Sequence, residues 1–482
     1  MKEINRIFKN LFSIGTAKCI EIFAGLLTIS LIARFLGVLR YSEYALIMTY
    51  VGVLMSLTFA GVEMIIIREI AKKKDVAHKY LGAAFMIRWL LSFVVLILLT
   101  AIVPFLHLKK EMIEGIYIIA FAHLIMSSSL LYQAVFKAFE RMEYETLLSL
   151  AFHVTLLSSV FFVIRMNLGF ISVFWCFFLA NTIRLILAVV ITHRKFVVPE
   201  IRIIEEIPFI TFLLKSSMVV GVYIILMHVS LNIDIILLKI FSKDIDVSLF
   251  YAAHSIIKFL SIFPVILLTV LMPVLSRQSL SESSSDLFAT YQTSFKVLVV
   301  AGLFLAVNLF VFSEEFIKLI FREDFQHTTF ALQIMTLSIL PIFIIILTDQ
   351  ILIAKNLERY LILFASISLA IKVVCGLILI PMFGYIGASI ASTSGFFSLF
   401  MISFTFVSRK CFMLPLKSIL LKPTVASLLL GLFIFYLKEN GHIFFLLIAG
   451  VVVYFLIIYL LKIFSDEEVF TLKNFGKNLL KI

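Results

Sequence analysis

Ionisable side chains set inside long apolar runs are the residues of this sequence that could do chemistry. Lys18, Glu21, Gly25 and Thr28 recur at helical spacing, and at 100° per residue they fall within an arc of about 80°, a polar stripe along one helix face. Tyr251, His254, Lys258 and Ser261 make a second stripe, followed by Pro264, where the helical ladder bends or breaks. Arg88, His123, His153, Asn181, Arg184, Asp234, Asp349 and Lys372 are the other strongly polar groups in apolar surroundings. A charge at the middle of a bilayer costs at least ~2.5–3.5 kcal/mol, so such residues normally face a wet cavity or a partner. More cations than carboxylates in such a cavity predicts an anionic ligand. A cavity that holds a large polar group while its apolar portion stays in lipid predicts an amphiphile, and a lipid pyrophosphate meets both demands. Lysine would act on phosphate as a mobile point charge, suited to transient holding.

Each residue also has a plainer reading. Lys18 and Glu21, three apart, form an ion pair on one helix. Arg88 and Lys372 either snorkel to an interface or face the cavity. His123 and His153 read as hydrogen-bonded packing groups, and Asp234 and Asp349 as helix caps, partners of a lysine, or sites for a coupling cation. The expected substrate-binding set is therefore Lys18, Glu21, Arg88, Arg184, His254, Lys258 and Lys372, with Glu21, Asp234 and Asp349 as the candidates for coupling H⁺ or Na⁺.

The elements that position these groups follow from composition. The 482 residues are 62% apolar and 15% charged, with a mean hydropathy of +1.14, which defines an all-α polytopic membrane protein. Apolar stretches fall near residues 11–35, 44–66, 82–106, 115–136, 147–165, 169–191, 210–238, 248–274, 294–313, 328–352, 359–380, 385–407, 418–437 and 442–464. These fourteen spans, at ~20 residues per crossing, leave connections too short for a soluble domain. That excludes a globular catalytic head and a fused nucleotide-binding engine. There is no phosphate-cradling Gly-rich loop, no metal-spaced His/Cys/Asp set and no nucleophile triad, so neither enzyme chemistry nor a cofactor or metal is expected. Cys19, Cys176, Cys375 and Cys411 have no paired spacing and read as small buried hydrophobes.

Of the 41 Lys and Arg, 26 fall in alternate connections and ends counted as cytoplasmic, and 10 in the others. That asymmetry predicts both termini on the cytoplasmic side of the cell membrane. The first helix is read as retained, because Lys18 and Glu21 interrupt the apolar run and no small-residue cleavage site follows. The tail at 465–482 alternates Lys with apolar residues and is expected as an interfacial helix. Residues 34–57 pair with 240–263, and 138–141 with 356–359, a spacing that fits six helices per repeat. The expected organisation is an N-lobe over 1–205, a C-lobe over 206–410 related by a parallel pseudo-two-fold axis, and an extra helix pair with the tail over 411–482. A central cationic cavity is expected between the lobes.

Several segments carry a resemblance to a known family: LIARFLGVLRYSEYAL at 31–46, IIIREIAKK at 65–73, VFKAFERMEY at 135–144 and FPVILLTVLMPVLSR at 263–277. VFSEEFIKLIFREDF at 311–325 and LIPMFGYIGASIAST at 379–393 extend it, so that it spans residues 4–405. Arg322 and Glu43 stand where members often have Gly. The sequence thus resembles the polysaccharide-transporter branch of the multidrug/oligosaccharidyl-lipid/polysaccharide exporter superfamily, which includes O-antigen flippases. The resemblance implies alternating access and a polyprenyl phosphate- or pyrophosphate-linked oligosaccharide as substrate, moved across the cytoplasmic membrane for surface-glycan biosynthesis. In the related lipid II flippases the lateral portal lies beside the first and eighth helices, the two that bear the polar stripes. A cation-coupled multidrug antiporter of the same superfamily is the nearest rival, and would favour carboxylates over cations. A membrane glycosyltransferase or polymerase is the rival from another class, and would need a long outer loop bearing acids or histidines.

Overall fold

In a hydrocarbon layer, backbone N–H and C=O groups have no water to bond, so a chain this apolar satisfies them within helices. The structure is a computed structural model that describes residues 2–59, 61–199, 207–266, 268, 284–355, 357–438, 443–465 and 468. Residues 200–206 at the junction of the expected lobes, much of the 263–277 motif, and all but residues 465 and 468 of the expected tail helix lie outside those residues. Among the described residues there are sixteen α-helices and no strand. They are α1 (Lys2–Ser56), α2 (Val62–Lys72), α3 (Ala77–Ile102), α4 (Lys110–Ala138), α5 (Met142–Arg165), α6 (Phe170–Lys195), α7 (Ile207–Phe241) and α8 (Asp244–Leu260). Then come α9 (Ser284–Val311), α10 (Ser313–Phe321), α11 (Thr328–Thr336), α12 (Ile339–Ala354), α13 (Arg359–Phe383), α14 (Tyr385–Lys410), α15 (Leu416–Leu437) and α16 (Ile443–Leu460).

Among the described residues eleven helices are long and apolar enough to cross a membrane, or twelve if the bent pair α11 and α12 forms one span. The chain is a multi-pass membrane protein. Three features separate this count from the expected fourteen spans. First, α1 is continuous in hydrogen bonding but breaks at Gly37, whose φ of 68° and ψ of 172° are essentially closed to residues with a Cβ. Its two arms correspond to the first two expected spans, the second of which is interrupted again at Gly61 before α2. Second, the expected tenth span is bent by 45° between α11 and α12. Third, the apolar part of α16, Phe445–Leu460, is short.

The contacts divide the chain into a unit over Met1–Tyr251 and another over Ala252–Ile482. The division falls inside α8, and α7 packs on α1 and α2. In the N-terminal unit α1 packs on α4, α5 and α7, and α6 packs on α4 and α5. The Ser248 hydroxyl donates to the carbonyl of Val38, one residue past the break in α1. In the C-terminal unit α13 and α14 form a tight hairpin. A Cβ at Gly387 would lie 2.2 Å from the Leu379 carbonyl oxygen, so the approach requires glycine. The extra helices α15 and α16 dock on α9 through Phe312, Ala426, Leu430, Ile434 and Tyr454. The Tyr454 hydroxyl donates to the Val300 carbonyl at 3.0 Å. Their other face exposes Leu432, Phe435, Ile448 and Phe455, and α3 likewise exposes Trp89, Phe93 and Ile97. Exposed apolar area on this scale marks surface that belongs in lipid. None of the four cysteines is in a disulfide, but Cys19 is exposed and only Cys176 is fully buried, so the burial expected from sequence is partial.

Gly37→Ala is expected to lower stability by about 1–3 kcal/mol, because the break forces a strained backbone on any side chain. Gly52→Ala, at a helical site with open space around a new Cβ, is expected to raise it by about 0.5–1 kcal/mol. Unfolding of the two purified variants in detergent measures both.

Candidate functional site

In the N-terminal unit, α1, α5 and α6 bring together residues that lie far apart in sequence. The Lys18 ammonium donates to Glu21 Oε2 at 2.7 Å, with the two side chains 28% and 37% exposed. The pair predicted from spacing therefore forms, but it is open enough to exchange partners. On α6 the Arg184 guanidinium donates to Asn181 Oδ1 at 2.7 Å, and Asn181 in turn donates to the Phe177 carbonyl at 2.9 Å. The same guanidinium lies 4.7 Å from the centre of the Phe152 ring on α5, a cation–π contact that orients it. Next in sequence, His153 is buried and within electrostatic range of Glu21, Arg184 and Lys18, while Arg184 is within range of Glu21. Arg184 Nε and His153 Nδ1 are buried without a hydrogen-bond partner. Two fixed cations and an imidazole thus share one carboxylate, leaving the cluster positive and short of acceptors. Thr28 contributes little, since its hydroxyl is bonded to the Ala24 carbonyl of its own helix at 2.7 Å.

The C-terminal unit holds a second group, His254, Lys258 and Lys372. His254 on α8 is buried, and the charges of Lys258 and Lys372 both bear on it. Lys258 is exposed. Lys372 on α13 is 1% exposed and packed inside the unit, neither snorkelling nor open to a cavity. Its stem fills the space over Gly395, where a Cβ would come within 2.9 Å of its Cδ. Its ammonium lies 5.5 Å from the centre of the Phe396 ring. The Ser261 hydroxyl is bonded to the Lys258 carbonyl at 2.6 Å.

Arg88 joins neither group. It is 2% exposed and ion-paired with Glu63 of α2, and so is held inside the unit. Glu63 lines a cavity of about 320 Å³ with Gln133 and Lys137 of α4, Ile224 and His228 of α7, and Ile67. Lys137 is also paired with Glu145 at 3.1 Å. Asp234 is fully buried on α7, Asp349 half-buried on α12, and His123 half-buried on α4. Sequence reasoning passed over Glu63, although a carboxylate within the expected second span was the signal for it. It also passed over a network beyond the Gly37 break. There Arg40 reaches Glu43 at 3.0 Å and Glu111 at 2.5 Å, and Lys109 reaches Glu43 at 2.6 Å.

The arrangement of broken and bent apolar helices is similar to the fold of several solved membrane proteins. The fold is similar to a structure described as the lipid II flippase MurJ in an inward closed conformation, with a TM-score of 0.77 and 15% identity over 92% of this chain and 97% of that one. It is also similar to an inward-facing multidrug resistance MATE family transporter of the MOP superfamily, with a TM-score of 0.68 and 12% identity over 81% of this chain and 94% of the other. A MOP superfamily transporter from Pyrococcus furiosus matches with a TM-score of 0.64 and 14% identity over 84% and 95% of the two chains. At these identities the likeness is one of fold: the chain has the MOP superfamily fold. The sequence profile of the polysaccharide biosynthesis protein family matches residues 7–279, over half of the chain, and the chain belongs to that family. No curated protein matches it in sequence. The resemblance drawn from the sequence motifs is therefore borne out.

Glu63→Ala removes the carboxylate paired with the buried Arg88 and is expected to destabilise the protein by about 3 kcal/mol. Arg88→Met in the same chain is expected to recover part of that loss, which a double-mutant cycle on unfolding measures.

Proposed function

We propose that this protein is a carrier, not an enzyme, that flips a polyprenyl phosphate- or pyrophosphate-linked oligosaccharide across the cytoplasmic membrane during surface-glycan biosynthesis. The observation that carries the reading is the cluster of Lys18, Glu21, His153, Asn181 and Arg184. It is an intramembrane group with excess positive charge and a buried guanidinium nitrogen lacking an acceptor. Phosphate oxygens supply acceptors and negative charge together, and a guanidinium binds them with directed, charge-assisted hydrogen bonds. Membership of a polysaccharide biosynthesis family supports a glycan as the attached cargo. Lys258, Lys372 and His254 form the second cationic group that the headgroup would meet during alternating access. Transport without such groups would strip a phosphate of water in hydrocarbon, at prohibitive cost.

Glu21 and the buried Asp234 are the candidates for coupling H⁺ or Na⁺, with Asp349 as a third, and both termini lie on the cytoplasmic side in this reading. Asp234 also favours a second reading, a cation-coupled drug antiporter, since a buried carboxylate suits a cationic substrate. In proteoliposomes carrying a lipid-linked oligosaccharide, Arg184→Ala is expected to slow translocation about tenfold or more. Lys18→Glu and Lys258→Glu are expected to abolish it with membrane insertion intact, and the corresponding changes to Arg to be milder. Unimpaired flipping by Arg184→Ala, or export of cationic drugs in its place, would contradict the proposal.

A further inference from the structure

At one end of the N-terminal unit the close of α2, the start of α3, the α4–α5 turn, the close of α6 and the start of α7 come together. Four rings form a floor there: Phe136 lies 5.5 Å from Tyr144 and 5.4 Å from Phe196. Phe196 lies 5.2 Å from Phe139 and 5.6 Å from Tyr144. Lysines stand on this floor and beside it. Lys74 is 5.3 Å from the Phe139 ring centre, Lys79 is 4.6 Å from that of Phe209, and Lys195 is 5.0 Å from that of Tyr144. Lys195 also donates to the Tyr144 hydroxyl at 3.0 Å.

Residues 68–79, 137–145 and 193–195 hold nine Lys and Arg against five Asp and Glu. Three of the acids are engaged locally. Glu69 takes Arg68 at 2.8 Å and Lys72 at 2.9 Å, Glu143 takes Arg141 at 3.0 Å, and Glu145 takes Lys137 at 3.1 Å. Lys72, and then Arg68, hold the Glu69 carboxyl below the usual carboxylate range. Lys73, Lys74, Lys79, Arg194 and Lys195 make no ion pair among the described residues, and all but the half-buried Lys79 are exposed. At the opposite end of the same helices Arg40 and Lys109 are both matched by Glu43 and Glu111. Lys110 lies 3.9 Å from Glu114 there and Arg165 is exposed, so the excess positive charge is smaller at that end.

We infer that this end of the unit is a docking site for the phosphate headgroups of anionic membrane lipids. Aromatic rings sit favourably between apolar and polar layers, and cations held over them present a fixed positive surface at headgroup depth. Exposed Val198 and Phe212 beside the patch offer apolar surface to acyl chains. The inference stands independently of what the protein transports.

The test is thermal unfolding of the full chain in detergent micelles doped with phosphatidylglycerol, phosphatidylcholine or soluble sn-glycerol 3-phosphate. Phosphatidylglycerol is expected to raise the unfolding temperature by several degrees. The gain should be at least halved by K73A/K74A/R194A/K195A and by raising salt to about 0.5 M, where the Debye length falls to a few ångströms. The salt arm uses the unmodified chain and does not depend on the variant folding. Equal gains from phosphatidylcholine or from the soluble phosphate would overturn the inference. So would a gain insensitive to both salt and substitution, or capture of an acidic protein that lipid fails to displace.

Discussion

A charged side chain must be solvated, and inside a hydrocarbon layer the protein itself supplies most of the solvent. That constraint orders this structure. Arg88 is solvated by Glu63 across two helices. Lys372 lays its stem over Gly395 and its ammonium over Phe396. Arg184 is held by Asn181 and the Phe152 ring. Many intramembrane hydroxyls turn back to their own helix, as Thr28, Thr182 and Thr348 do. The departures from regular helix are as economical, since the breaks at Gly37 and Gly61 fall where a residue without Cβ relieves the backbone.

Not every charge is solvated completely, and the shortfall is where binding chemistry can occur. In the cluster on α1, α5 and α6, Arg184 Nε has no acceptor and His153 Nδ1 no hydrogen-bond partner. The Lys18–Glu21 pair remains partly open. An anionic headgroup entering there would complete a hydrogen-bonding set that the fold leaves unfinished, and Glu21 would then exchange its hold on Lys18. The Arg88–Glu63 pair ties α3 to α2, with Glu63 also contributing to the wall of a cavity.

Fold class and family were legible in the sequence because both rest on local signals. Apolar runs of membrane length follow from composition, and the motifs around 31–46 and 135–144 lie within contiguous stretches. The Lys18–Glu21 pair and the neighbourhood of His254 and Lys258 were legible too, since three- and four-residue spacing places side chains together on a helix. Contacts between helices were not. Nothing in the spacing of residues 63 and 88 reveals that α2 and α3 fold back on each other through the turn at 73–76 and bring Glu63 onto Arg88. The approach of His153 and Arg184 to Lys18 depends on how α1 packs on α5, and α5 on α6. The break at Gly37 falls in the gap between the first two expected spans, 11–35 and 44–66, but that the helix resumes at once on the far side of it was not legible in the sequence.

The central claim is that the α1–α5–α6 cluster receives a phosphorylated lipid headgroup. A cryo-electron microscopy map of the protein with undecaprenyl pyrophosphate bound tests it most directly. The account predicts phosphate density within hydrogen-bonding distance of Arg184, with the Lys18–Glu21 contact lengthened. Phosphate density bound away from Arg184, with that ion pair intact, would contradict it.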